Sequence, residues 1–178
     1  MKREVLIAGF GGQGVMSIGK SLAELGMDKG YYVTWVPSYG PEMRGGTANC
    51  SVVLSGEKIG SPIVSHPTEL IAMNMPAMDK FGVSVKDGGT IFLNSADTGL
   101  LSRPGIRVCR VPCDEIAREL GNPRAANMVM LGAYAAVTGF FSLEDAAAYV
   151  RHLFGGRKSN LIPINLKALE QGAACKTA

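Results

Sequence analysis

The first thirty residues constrain the fold most. Glu4 to Ala8 form a compact apolar run, Gly9-Phe10-Gly11-Gly12-Gln13-Gly14 follows, and Val15, Ile18, Leu22 and Leu25 then recur at helical spacing. The period changes from strand to helix across a turn built mainly of glycine. Such a turn lets backbone amides approach an anion with no Cβ in the way, and the following helix adds the positive end of its dipole. Gly9, Gly11, Gly12, Gln13 and Gly14 are therefore candidate ligand contacts. The competing explanation is structural: the glycines only permit tight packing of helix on strand.

The helix is expected to end by Gly26 or Gly30. Tyr31 to Val36 reads as a second strand stopped by Pro37, which gives a βαβ unit with a parallel pair and a right-handed crossover. The glycine run satisfies the dinucleotide fingerprint literally, but that fingerprint also needs an acid at the end of the second strand to hold the ribose. Here the stretch is Thr34-Trp35-Val36-Pro37-Ser38, and the first acid, Glu42, lies in the next loop behind a proline. A free-standing NAD(P)-dependent Rossmann dehydrogenase is accordingly the alternative reading, not the leading one.

Ser38-Tyr39-Gly40-Pro41-Glu42-Met43-Arg44-Gly45-Gly46 is a polar, glycine-rich loop at the carboxyl end of that strand, where ligand sites collect in open sheets. Arg44 beside Gly45 and Gly46 suits bidentate capture of an anion by a closely bending chain. Tyr39 offers cover for an apolar part of a ligand, Glu42 a carboxylate to orient Arg44, and Ser38 a hydroxyl. Read blandly, this is an exposed loop with a Glu42–Arg44 pair, contributing at most about 1 kcal/mol.

Downstream, Thr47 to Leu54 reads as a strand that turns at Ser55 to Lys58 and returns from Ile59 toward Ser61-Pro62 as a hairpin. Leu70 to Met73 is a short apolar run, Pro76 opens a helix through Phe81, and Thr90 to Leu93 and Ile106 to Val111 are strands. Asp114 to Leu120 is a short helix closed by Gly121. Ala126 to Val137 is apolar or small nearly all round, as in a helix buried on several sides. Ser142 caps a helix running to Phe154, and Leu161 to Glu170 forms a terminal helix. The expected fold is α/β: three layers, a Rossmann-like, mostly parallel sheet with a β-hairpin insertion, and a helical C-terminal third, in a single domain over 1–178.

A net charge of +3 without a basic stripe argues against a nucleic-acid partner. Arg103, Arg107 and Arg110 read as a solvated strand face, or else as a contact for an anionic ligand or acidic partner. Cys50, Cys109, Cys113 and Cys175 include no C-x-x-C pair, so they are expected to be reduced thiols, Cys109 in the core and Cys113 at a turn. No apolar run is long enough to span a membrane, and a cytoplasmic location is expected. Ser38 has no nearby histidine, and His66 and His152 fall on a loop and a helix. No catalytic residue and no metal site is assigned.

Six segments together resemble one family. They are G-F-G-G-Q-G-V from Gly9, S-Y-G-P-E-M-R-G-G-T-A-N-C at Ser38 to Cys50, I-G-S-P-I-V at Ile59 to Val64, P-A-M-D-K-F at Pro76 to Phe81, G-G-T-I-F-L-N at Gly88 to Asn94, and A-N-M-V-M-L-G-A at Ala126 to Ala133. The chain is similar throughout to the gamma subunit of 2-oxoacid:ferredoxin oxidoreductases, with the wording at Ser38 to Cys50 most like the 2-oxoglutarate and branched-chain members, 2-oxoglutarate first.

That resemblance implies a non-autonomous part of an enzyme that decarboxylates a 2-oxoacid oxidatively with coenzyme A, giving acyl-CoA and carbon dioxide and reducing ferredoxin. It places thiamine diphosphate, Mg and iron-sulphur clusters on other subunits and leaves coenzyme A as the co-substrate this chain helps to position. The implied partners are alpha and beta subunits, a delta subunit as a further candidate, and ferredoxin as acceptor of the complex. Asn127 is a candidate for an interface, and the apolar positions at Ala126 to Val137 suggest a homodimer when the chain is isolated.

Overall fold

The computed structural model describes residues 1–38, 47–97 and 104–175, excluding the side chain of Thr47. Strands β1 (Lys2–Phe10), β2 (Tyr32–Ser38), β3 (Thr47–Ser55), β4 (Glu69–Ala72), β5 (Thr90–Asn94) and β6 (Arg107–Val111) form one sheet in the order β2-β3-β1-β4-β5-β6. From β1 outward through β4, β5 and β6 every pairing is parallel, whereas β3 runs antiparallel to both β1 and β2. The described helices are α1 (Val15–Asp28), α2 (Met75–Phe81), α3 (Cys113–Glu119), α4 (Ala126–Thr138), α5 (Leu143–Leu153) and α6 (Ile162–Ala174).

Strand periodicity divides the core into two. Val5, Ile7, Ile71, Phe92, Cys109 and Val111 point to the face covered by α1, α4 and the rest of the helical C-terminal part. Leu6, Ala8, Leu70, Ala72, Ile91 and Leu93 point to the opposite face, where α2 supplies Ala77 and the following turn supplies Val85. Because β1 and β4 are covered on both sides, they read as continuous apolar runs and not as alternating ones. The three-layer α/β architecture is as expected, with one helical layer much thicker than the other.

Several local expectations are corrected. β1 and β2 are not an adjacent parallel pair, because β3 lies between them and bonds to both. The antiparallel insertion is thus the pair β2 and β3; the segment after Ser55 forms no return strand, and the hairpin expected over Thr47 to Pro62 is absent. β2 does not stop before Pro37 but continues to Ser38, with Pro37 opposite Cys50. This is tolerated because β2 is an edge strand, where a missing N–H can face outward. Helix α1 ends at Asp28, before Gly30 as expected, and passes Gly26, where a Cβ would lie 2.4 Å from Leu54 Cδ2, so glycine there serves close helix–sheet approach.

Cys113 is not in a turn: it is the first residue of α3 and is fully buried. Arg107 is exposed and Arg110 half-buried, so the two do not form one solvated face, and Arg103 lies outside the described residues. In α4, Met128, Val129, Met130, Leu131, Ala133 and Tyr134 are all buried within the chain's own core. That burial removes the ground on which self-association through this helix was expected.

Candidate functional site

The parallel strands deliver their carboxyl ends to one edge of the sheet, and a network of polar side chains is found there. Phe10 ends β1, and Phe10 pairs with Thr47, while Ser38 pairs with Asn49. The glycine loop and the two residues that bound the 39–46 loop therefore share this edge. Tyr39, Glu42, Arg44, Gly45 and Gly46 themselves lie outside the described residues. Ser38 is exposed at the end of β2.

The two explanations of the glycines divide residue by residue. A Cβ at Gly9 would sit 2.8 Å from Met73 Cβ and 2.9 Å from Gln13 Oε1, so this position is closed by packing. Gly14 has φ 77°, acts as N-cap of α1 without any side-chain cap, and would place a Cβ 2.8 Å from Asn127 Cβ. Gly12 differs. Its φ of 91° also favours glycine, but nothing stands within 4 Å of where its Cβ would be, so its backbone is open to an incoming group. Gly11 is exposed as well.

Gln13 holds the loop in shape. Its Oε1 accepts from Phe10 N–H and from Asn74 Nδ2, each at 2.7 Å, and its Nε2 donates to the Met73 carbonyl at 2.9 Å. Asn74 in turn accepts from Ala77 N–H at 2.8 Å and so caps α2. Asn94, at the end of β5, donates to the same Met73 carbonyl at 3.2 Å and to Asp114 Oδ2 at 2.9 Å. One carboxamide network thus ties the ends of β1, β4 and β5 to the first turn of α3. Gln13 is built into this frame, and its oxygen is already doubly engaged.

Beside the frame lies a cavity of about 300 Å³ lined by Gly12, Gln13, Gly14, Ser17, Asp114, Pro123, Arg124, Ala126 and Asn127. Arg124 is exposed and enters no ion pair among the described residues. Sequence reasoning missed Arg124, Asn74, Asn94 and Asp114 as site residues. The available signal was positional: an asparagine directly follows each of two apolar strands, and an arginine follows the Asn122-Pro123 cap of the buried helix.

His66 and His152 are exposed and stand apart from this cavity. Burial raises the Cys50 thiol to about 11 and pushes Cys113 well above its ordinary range, so neither is a thiolate nucleophile at neutral pH. Among the described residues no group of three or more His, Cys, Asp or Glu side chains converges as a metal site, and no described helix is long and apolar enough to cross a membrane. The dinucleotide alternative also loses its geometry. Its ribose-binding acid belongs on a strand next to β1, and β3, running the opposite way, occupies that place.

Residues 4–175 match the family model described as pyruvate ferredoxin/flavodoxin oxidoreductase. The ketoisovalerate oxidoreductase subunit VorA of Methanothermobacter marburgensis is 46% identical over 173 residues, which cover 95% of this chain but 35% of that relative, so the chain spans about a third of its length. The crystal structure of a keto/oxoacid ferredoxin oxidoreductase gamma subunit from Geobacter sulfurreducens superposes with a TM-score of 0.80 at 28% identity, covering 96% of both chains. A 2-oxoglutarate:ferredoxin oxidoreductase from Magnetococcus marinus, with 2-oxoglutarate, coenzyme A and succinyl-CoA bound, shares the fold at a TM-score of 0.87 and 24% identity, over 99% of this chain and 32% of that one. A nicotinamide dehydrogenase finds no support among these relatives. The chain belongs to the pyruvate ferredoxin/flavodoxin oxidoreductase family, and a solved structure that it matches over 96% of both chains is a gamma subunit.

Proposed function

We propose that this chain is the gamma unit of a cytoplasmic 2-oxoacid:ferredoxin oxidoreductase and that its part in the reaction is to receive coenzyme A. The observation that carries this reading is the family match along residues 4–175 together with an anion-suited edge where the glycine loop meets the ends of β2 and β3. In the whole enzyme a 2-oxoacid, coenzyme A and two oxidised ferredoxins become acyl-CoA, carbon dioxide, a proton and two reduced ferredoxins. Thiamine diphosphate with Mg would supply carbanion stabilisation and iron-sulphur clusters single-electron transfer, both held by partner subunits of the alpha and beta kinds, with a delta subunit as a further candidate. Branched-chain 2-oxoacids are the first substrates to test, because the 46%-identical relative is a ketoisovalerate oxidoreductase subunit.

In this reading Gly11, Gly12 and the Ser38 to Gly46 loop approach the coenzyme, Arg44 supplies charge, and Gln13 holds the loop. The test is to purify the complex from its own cells and replace Arg44 with Ala. Thiamine-binding and ferredoxin-like subunits should co-purify, and Arg44→Ala should raise the coenzyme A concentration needed for half-saturation while decarboxylation of the 2-oxoacid stays near wild type. Recovery of the chain without such subunits, oxidising a substrate with a nicotinamide carrier, would falsify the reading.

A further inference from the structure

We propose that the groove between α5 and α6 is where a second copy of this chain docks, the two α5 helices lying antiparallel about a two-fold axis so that Glu144 of each meets Arg151 of the other. The inference is independent of the coenzyme A reading, so its failure leaves that reading intact.

Helix α5 packs beside α6, and a groove of about 310 Å³ runs between them. Its floor is apolar, from Leu143 and Ala147 of α5 and Leu166 and Leu169 of α6. Leu143 is 37% exposed, and Ala147 and Leu166 are half-buried. Covering such a surface favours association, whatever covers it.

The charges on the rim select the occupant. Glu144 and Arg151 are both exposed and lie seven positions apart, two helical turns, on the face that also exposes Ala148. They stand about 10 Å apart along the axis, beyond the spacing at which charges on one helix pair, and neither enters an ion pair among the described residues. A second α5 laid antiparallel and centred between Ala147 and Ala148 satisfies both at once, because Glu144 and Arg151 lie equally far on either side of that midpoint. Each acid then faces a base of the other copy, twice in the dimer. Alanine on both sides of the crossing lets the backbones approach, and the symmetry sets the two grooves face to face, so that each apolar floor covers the other.

Glu170, on the α6 side of the groove, is a further acid without an ion-pair partner among the described residues, and it adds to the field drawing an incoming guanidinium. Rim charges of this kind orient an encounter more than they hold it, so the apolar floors supply affinity and the charges supply register. A different protein would need the same two charges at the same spacing in reverse order. A second copy has them by construction.

The experiment is sedimentation velocity on the full chain over a range of concentrations at low salt, with Glu144→Arg and Arg151→Glu prepared separately. We expect the wild type to be a reversible dimer. Each variant alone sets like charges opposite one another and should need a concentration roughly tenfold higher or more to associate. An equimolar mixture of the two variants should associate about as readily as the wild type, because each contact then joins unlike charges. A monomeric wild type overturns the proposal, and so do single variants that associate unchanged. A mixture no better than its components overturns it as well, and leaves the groove to a partner subunit. Both positions are exposed, so both variants should melt with the wild type, and melting is recorded as the folding control.

Discussion

Gly132 of α4 and Gly172 of α6 face one another's backbones reciprocally: a Cβ on Gly132 would lie 2.0 Å from the Leu169 carbonyl oxygen, and one on Gly172 would lie 1.9 Å from the Val129 carbonyl oxygen. Each glycine therefore meets the carbonyl three residues before its counterpart, and the two helices cross in backbone contact.

That crossing sets the position of α4, whose first turn carries Asn127 against the glycine loop. Neither carbonyl can move aside as a flexible side chain would. Gly132→Ala and Gly172→Ala should each destabilise the fold by about 3 kcal/mol, at the upper end of overpacking costs, measured as a shift in the urea midpoint. An Ala variant that melts with the wild type would mean the helices separate without cost.

The ion pair between Arg3 and Glu69 is closed by Tyr134, whose hydroxyl donates to Glu69 Oε2 at 2.7 Å, while Arg3 also reaches the Thr138 carbonyl at 3.3 Å and stacks over Phe140. Burial first, and then the Glu69 carboxylate, push the Tyr134 phenol well above its usual range, so it stays a donor at all working pH. Tyr134→Phe leaves one acceptor short and should cost about 1–3 kcal/mol. Glu69→Ala strands the Arg3 charge as well and should cost more, near the lower end of about 3–5 kcal/mol because Arg3 retains some exposure. Equal losses for the two variants, in denaturant melts, would argue against a charge contribution.

The order of these elements was legible in the sequence and their neighbours were not. Each apolar run from Glu4 to Val111 became a strand, and Ser142 caps α5 through a reciprocal bond with Asp145, because these are decided within a few residues of chain. The insertion of β3 between β1 and β2 depends on pairing across the sheet, which no local period encodes. Pro37 was misleading for the same reason: it ends a central strand but not an edge strand, and edge position is a property of the whole sheet. In the site, the glycine loop was visible because glycine clusters are rare. The carboxamides of Gln13, Asn74 and Asn94 were not, since Gln13 and Asn94 lie 81 positions apart and meet only through the Met73 carbonyl.

Gln13 should behave as a positioning residue. Truncation to Ala leaves the Phe10 N–H, the Asn74 amide and the Met73 carbonyl each short of a partner. The site is only half-buried, so water recovers part of the loss, and the stability cost should be near 1 kcal/mol. If the loop receives coenzyme A, Gln13→Ala also raises the coenzyme A concentration needed for half-saturation. A loss of stability with unaltered saturation would place Gln13 in the frame alone.

Asp145 gives the pH-dependent test. The Lys29 ammonium at 2.6 Å, followed by the Ser142 hydroxyl and backbone N–H, lowers its carboxyl to about 2. In the unfolded chain the same group titrates near about 3.9. A folded value below the unfolded one means the stabilisation is fully present above the unfolded value and is lost as pH falls through the folded one. Both side chains are about a third exposed, so the ion pair itself contributes at most about 1 kcal/mol, with the helix cap adding a similar amount. Asp145→Asn should therefore melt below the wild type at pH 6, and the gap should close as both are taken from pH 4 toward pH 2. Added salt should narrow the gap at pH 6 without removing the part due to the cap. A gap that keeps its size at low pH would show that the Lys29 contact between α1 and α5 does not shift the carboxyl.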